Sequence, residues 1–360
     1  MMKNPLSNIS AFWRNFDFTS PRAINSLKTA IACVIGYLLV IWTPLPQPQW
    51  IVITILVVMS AQTSLGSLTI KSYMRFWGTV AGAGISAIIY LCIGTDPVGM
   101  TIALFIVVLA FAYVASSPGD ASYAGTLGAV TVAIILLNPV VNLQIISARF
   151  IEIIVGIIIS LLVSKLIFPI HSQHLLLHNL ANNLLNLQRN FDRSLKMEPQ
   201  HLEAEVDGLD AKIASSFATQ RKLIREVGFE LKYRQQKPLF QEILQTQIKI
   251  YRANNLMFLS AHVSEQSVQV ISELTGLEKF KLEANQSFMR LAEAIRSEKK
   301  HKIEWVVAEL IDVMEGEFKK IINQKQYEHI AYVNAFLFGA RMFMVELIEL
   351  GKLIEAIQRE

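Results

Sequence analysis

The 360-residue chain is 52% hydrophobic and only 17% charged, against about 25% charged residues in soluble domains, and its mean hydropathy is +0.40. A net charge of +4 does not make it a nucleic-acid binder: the first 170 residues hold 8 basic and 4 acidic residues, while residues 171–360 hold 25 of each and no basic stripe. Two cysteines, Cys33 and Cys92, both inside apolar runs, exclude a disulfide framework and a zinc site, and they read as small packing residues.

The N-terminal segment carries Lys3, Arg14, Arg22 and Lys28 ahead of the first apolar run. That run is too long for the apolar core of a signal peptide and is followed by others, so no cleaved leader is expected. Only seven charged residues lie between Ala30 and Lys165. A spanning helix needs about 20 mostly apolar residues, because backbone groups in lipid must bond within the helix. The pattern predicts six spans, at 24–42, 50–66, 76–93, 99–115, 121–138 and 150–168. The second turns polar after Met59 (Ser60, Gln62, Thr63, Ser64) and is expected among other helices rather than against lipid.

Short breaker segments separate the spans: TPLPQPQ, GTDPV, SSPGD and NPVVN. Asp120, with Ser117, is expected to cap a helix, and Asp96 to lie in a loop. Lys and Arg flank the first span and the gap between the second and third, where Lys71 and Arg75 fall, but are missing from the loops at 43–49 and 94–98. By the positive-inside bias both termini lie in the cytoplasm. Arg149 departs from this bias, falling at the outer end of the sixth span.

Within the third span, Gly78, Gly82 and Ser86 are four residues apart and share a face that lets another backbone approach closely. Lys71 and Arg75 read either as topology determinants or as a cationic vestibule for anions. In the sixth span Glu152, Gly156, Ser160 and Ser164 share a face, and Arg149 stands three residues before Glu152, within pairing range. An ionisable pair inside a membrane is costly. It is either a structural ion pair or a functional one, with Arg149 holding a substrate carboxylate and Glu152 carrying a proton. Trp13, Trp42, Trp50 and Trp77 sit near span ends, as aromatic belts do. Trp50 and Trp77 are also placed to stack on a ring substrate.

From His171 onward charged and apolar residues alternate at helical spacing, giving an all-helical cytoplasmic domain over 171–360 after a membrane domain over 1–170. Leu177, Leu180, Leu184, Leu187 and Phe191 form one stripe; Val333, Phe336, Ala340, Phe343, Leu347, Leu350, Ile354 and Ile357 form another, suited to a core or a dimer seam. His171, His174 and His178 share a face, but no acidic or Cys ligand is near in sequence, so an interfacial face is expected rather than a metal. The chain contains no G-x-x-x-x-G-K-[ST], G-x-S-x-G, H-E-x-x-H or C-x-x-C. No cofactor, metal or enzymatic activity is expected.

The segments SLKTAIACVIGYLL, KSYMRFWGTVAGAG and ARFIEIIVGIIISLLVSKLIFP, with Trp50 and Thr54, resemble the fusaric acid resistance protein family of membrane transporters, which includes bacterial aromatic acid exporters. The K-x3-R-x2-G-T-x2-G block falls on Lys71, Arg75, Gly78, Thr79 and Gly82, and the R-x2-E-x3-G block on Arg149, Glu152 and Gly156. The resemblance covers about residues 20–170. It implies proton-driven export of aromatic or other organic anions across the inner membrane. Many members carry two membrane-plus-cytoplasmic halves, so this single half implies a homodimer, and some members work with a periplasmic adaptor. The distantly similar aluminium-activated malate transporters, which are dimeric anion channels, keep a channel open as the second reading. A membrane-anchored scaffold with a partner-binding helical domain is the third.

Overall fold

The computed structural model describes residues 21–43, 47–60, 64–94, 96–138, 143–195, 202–274, 276–297 and 330–358, with a few positions between 312 and 319. Trp13 and the basic residues Lys3 and Arg14 lie outside the described residues. The chain divides into two compact units, Met1–Ser172 and Gln173–Glu360. Among the described residues every regular element is helical.

The first unit holds α1 (Pro21–Trp42), α2 (Gln49–Met59), α3 (Leu65–Ile93), α4 (Pro97–Ala115), α5 (Ala121–Leu136) and α6 (Leu143–Leu166). α3 packs on α5 and α6, α2 on α1 and α6, and α4 on α5. At 1.5 Å per residue, α1, α3, α4 and α6 can each cross about 30 Å of hydrocarbon or nearly so, whereas α2 reaches only about 16 Å and α5 about 24 Å. Among the described residues five helices are long and apolar enough to cross a membrane: these four and the last helix of the chain.

Three local features differ from the sequence expectations. The second expected span shortens to the 11 residues of α2, because the chain leaves the helix where Ser60 begins the polar stretch. The third lengthens to 29 residues, because Ser64 caps α3 by accepting from the Ser67 N–H at 3.2 Å. Lys71 and Arg75 are therefore inside a helix and not in the gap before it. The cap assignments also exchange. Asp96 accepts from the Gly99 N–H at 2.7 Å and starts α4, whereas the Asp120 side chain makes no capping bond at the start of α5.

The outer surface of this unit is apolar. α4 buries none of its residues, and Phe105, Leu109 and Tyr113 stand more than half exposed. α1 likewise exposes Val34, Tyr37, Leu38 and Ile41. So much contiguous exposed apolar surface suits lipid and not water. The polar faces point inward: Thr54, Ser72, Arg75, Thr79, Arg149, Glu152, Ser160 and Ser164 are all buried.

The second unit holds α7 (Ser172–Ser194), α8 (Leu202–Val227), α9 (Lys237–Ala261), α10 (Glu265–Ser272), α11 (Gly276–Arg296) and α12 (Ile330–Ile357), with a short 3-10 turn at Arg234–Gln236. Its centre is aromatic. Phe191 of α7 stacks on Phe343 of α12 with centroids 4.7 Å apart, and Phe280 and Phe288 of α11 pack edge-on or tilted around them. Val333, Phe336, Ala340, Phe343, Leu347, Leu350 and Ile354 are buried against this core, and α12 packs along α9. The stripe of α12 is thus a core face inside the chain and is not free to form a dimer seam. α12 has the length and hydropathy of a span, but Lys249 of α9 pairs with its Glu346 at 3.1 Å, and Arg341 and Lys352 are about half exposed or more.

Candidate functional site

α2 and α6 bring three sequence-selected residues together. Arg149 and Glu152 are on one face of α6, 3% and 1% exposed, with Arg149 Nη1 3.8 Å from Glu152 Oε2. Across from them Trp50, in the first turn of α2, packs under Arg149, its ring centroid 4.1 Å from the guanidinium carbon. Gln47, just before α2, completes the group. Its side-chain Oε1 accepts from Arg149 Nη2, and its backbone N–H donates to Glu152 Oε1 at 3.1 Å. One residue therefore holds both members of the pair, through different atoms.

The pair is not saturated. Arg149 Nε and Nη1 and Glu152 Oε2 are buried without a hydrogen-bond partner. The 3.8 Å approach gives Coulomb attraction without a hydrogen bond. A buried guanidinium with two unaccepted N–H-bearing nitrogens is costly in itself. It is also the chemistry that a carboxylate satisfies, since Arg presents a planar fork of donors.

Arg75 on α3 belongs to the same electrostatic neighbourhood, close enough that its charge acts on Arg149. It is 2% exposed, and its Nε also lacks a hydrogen-bond partner, as do the buried hydroxyls of Ser72 and Thr54. Tyr123 of α5 interacts with Arg75, donates to the Val57 carbonyl at 3.3 Å and carries Lys71 over its ring at 5.2 Å. Lys71 also donates to the Ser60 carbonyl at 3.2 Å. The two expected vestibule cations thus differ in setting: Arg75 is interior, while the Lys71 ammonium reaches from α3 to the C-terminal end of α2.

Trp77 is not brought to this group. It is about half exposed on the outer face of α3, in edge contacts with Tyr73 and Phe76 at 6.2 and 5.6 Å. Phe76 rather than Trp77 turns toward α6, meeting Phe150 at 6.1 Å.

The glycines set how closely the walls approach. A Cβ on Gly78 would lie 2.6 Å from the Ala124 carbonyl oxygen, and one on Gly82 2.8 Å from that of Gly128, both on α5. A Cβ on Gly156 would lie 2.8 Å from the Ile51 carbonyl oxygen and 2.8 Å from Thr54 Cβ on α2. Close contact at Gly156 holds α2 against α6, and so holds Trp50 against Arg149. Gln47 and Tyr123 escaped sequence reasoning. Gln47 sits in a proline-rich breaker and Tyr123 in an apolar helix, and neither position has a local periodic signal.

Among the described residues no group of three or more His, Cys, Asp or Glu side chains could hold a metal ion. His174 and His178 lie on the exposed side of α7.

The model of the fusaric acid resistance protein family matches residues 22–317. No curated protein matches the chain.

Proposed function

The chain belongs to the fusaric acid resistance protein family, whose members are membrane transporters, and on that premise we propose that it exports aromatic or other organic acids using the proton gradient. The observation that carries this reading is the buried, incompletely bonded Arg149 next to Glu152. A carboxylate in a low-dielectric interior needs a permanent positive partner, and Arg keeps its charge at any physiological pH. When Glu152 is ionised it competes for Arg149; when protonated it releases the guanidinium to the substrate. Proton and substrate binding are then linked at one site. Trp50 against Arg149 adds an aromatic wall suited to a ring substrate, and Arg75 supplies a second cation facing the same interior.

In this reading α1 to α6 form a six-helix membrane bundle, with α2 and α5 as short inner helices shielded by the others. The unit from Gln173 onward lies in the cytoplasm with the N-terminus, as the Lys/Arg bias indicates, and the membrane is the inner membrane. Two copies make one transport unit, and a periplasmic adaptor serves as a further partner. A dimeric anion channel is the second reading. It is favoured by the surplus of cations, since the described membrane helices hold Arg22, Lys28, Lys71, Arg75, Arg149 and Lys165 against Glu152 as their one acidic residue.

The test is flux in proteoliposomes with a panel of aromatic and aliphatic acids, with and without an imposed pH gradient. An exporter accumulates at least one acid against its gradient when the pH gradient is present. A channel only dissipates the acid gradient and carries current whether or not pH differs. Absence of flux for every acid sinks both readings.

A further inference from the structure

The second unit contains a cavity of about 650 Å³ bounded by the start of α7, the segment before α9, and the C-terminal ends of α11 and α12. Its volume falls in the range of small-molecule sites, about 300–1,000 Å³. The lining divides by chemistry. The floor is aliphatic: Ile295 and Ile354 are buried, with Leu177 and Ile357 partly so. The rim is basic: Lys232, Arg296, His174 and His178 all contribute, and among the described residues no lining residue is acidic.

Among the described residues the two permanent cations have only neutral partners. Lys232 Nζ lies 4.9 Å from the Tyr233 ring centroid, and Arg296 Nη2 donates to Asn182 Oδ1 at 2.7 Å. In a unit whose basic and acidic residues balance, a concave site with two permanent cations and no acid among its described lining residues concentrates positive potential.

We propose that this cavity binds an amphipathic organic anion, with its apolar body on the partly exposed Leu177 and Ile357 above Ile295 and Ile354, and its anionic head between Lys232 and Arg296. The head satisfies the two cations that have no carboxylate partner among the described residues. The body covers aliphatic surface that water would otherwise wet. Two sources share this chemistry, a free organic acid and an anionic lipid. This site is separate from Arg149 and does not depend on the transport reading.

The test is calorimetric titration of the full-length protein in a nonionic detergent, in an R149Q background so that anion binding in the first unit does not contribute. The probes are 2-naphthoate, its neutral counterpart 2-naphthalenemethanol, and dihexanoylphosphatidylglycerol. At least one anion binds, the neutral alcohol binds more weakly, and K232E/R296E weakens the anion by about tenfold or more. Both residues are exposed, so the variant keeps its fold, and K232R/R296K retains binding as an independent check. The anion that binds more tightly identifies the source. Unchanged affinity in K232E/R296E, equal affinity for acid and alcohol, or no binding of either anion overturns the proposal.

Discussion

Trp50 and Arg149 come from helices about one hundred residues apart in sequence, yet the Trp50 ring centroid lies 4.1 Å from the Arg149 guanidinium carbon. The ring packs against the guanidinium, and Gln47 occupies one of its nitrogens. What remains open is the donor edge with Nε and Nη1. A cation–π contact is worth about 0.5–2 kcal/mol. Trp50→Ala should therefore lower the thermal midpoint of the purified protein and weaken substrate binding, while Trp50→Phe should keep most of both. Equal transport by Trp50→Ala and the parent would remove the ring from the site.

The glycines give a steric prediction with an internal control. Gly78→Ala and Gly156→Ala place a methyl group 2.6 and 2.8 Å from backbone oxygens of a neighbouring helix. Overpacking of this kind costs about 1–3 kcal/mol, and backbone cannot move aside as a side chain can. Gly84 has nothing within 4 Å of its Cβ position, so Gly84→Ala should be neutral or slightly stabilising in thermal unfolding. Equal midpoints for all three variants would contradict the close approach of α3 to α5 and of α2 to α6.

In the second unit, Phe343 is fully buried against Phe191, Phe280 and Phe288. Phe338, on the same helix, is 58% exposed. Phe343→Ala should cost about 3–5 kcal/mol, and Phe338→Ala much less. Limited proteolysis comparing the two variants reads the difference. If Phe338→Ala is the more damaging change, the stripe of α12 faces the other way.

Orientation is tested by thiol labelling in a C33A/C92A background. A Cys at Gln47, before α2, should react with an impermeant reagent from outside the cell. A Cys at Lys222, which is 67% exposed in the second unit, should react only after permeabilisation. Labelling of the Lys222 position in intact cells would reverse the topology. Ser72 makes a poor inner marker because it is buried within α3.

Much of this was legible in the sequence because it is periodic. Four-residue spacing placed Gly78 with Gly82 and Glu152 with Gly156 on common faces, three-residue spacing put Arg149 within reach of Glu152, and 3/4 spacing placed Phe336, Phe343 and Leu350 on one face. What was not legible depends on neighbours distant in sequence. Gln47 bridges α6 only because α2 packs there. Trp77 and Phe76 are adjacent in sequence, and only the packing of α3 on α6 decides which of them turns inward. The length of α2 was misread because apolar character continues up to Met59 and the polar residues that follow still fit a buried helix. The partner of the last stripe could not be read either, since an apolar face has the same spacing whether it meets its own chain or a second copy.

The central claim is that Glu152 couples proton movement to a substrate held by Arg149. It is tested most directly by comparing two fluxes of Glu152→Gln in the same proteoliposomes, using an acid that the parent transports. One is counterflow at equal pH, which needs binding and reorientation but no net proton movement. The other is accumulation driven by a pH gradient. Glu152→Gln should retain counterflow and lose gradient-driven accumulation, while Arg149→Lys should weaken both, because a single ammonium cannot replace the fork. Gradient-driven accumulation by Glu152→Gln at the parental rate would contradict the account.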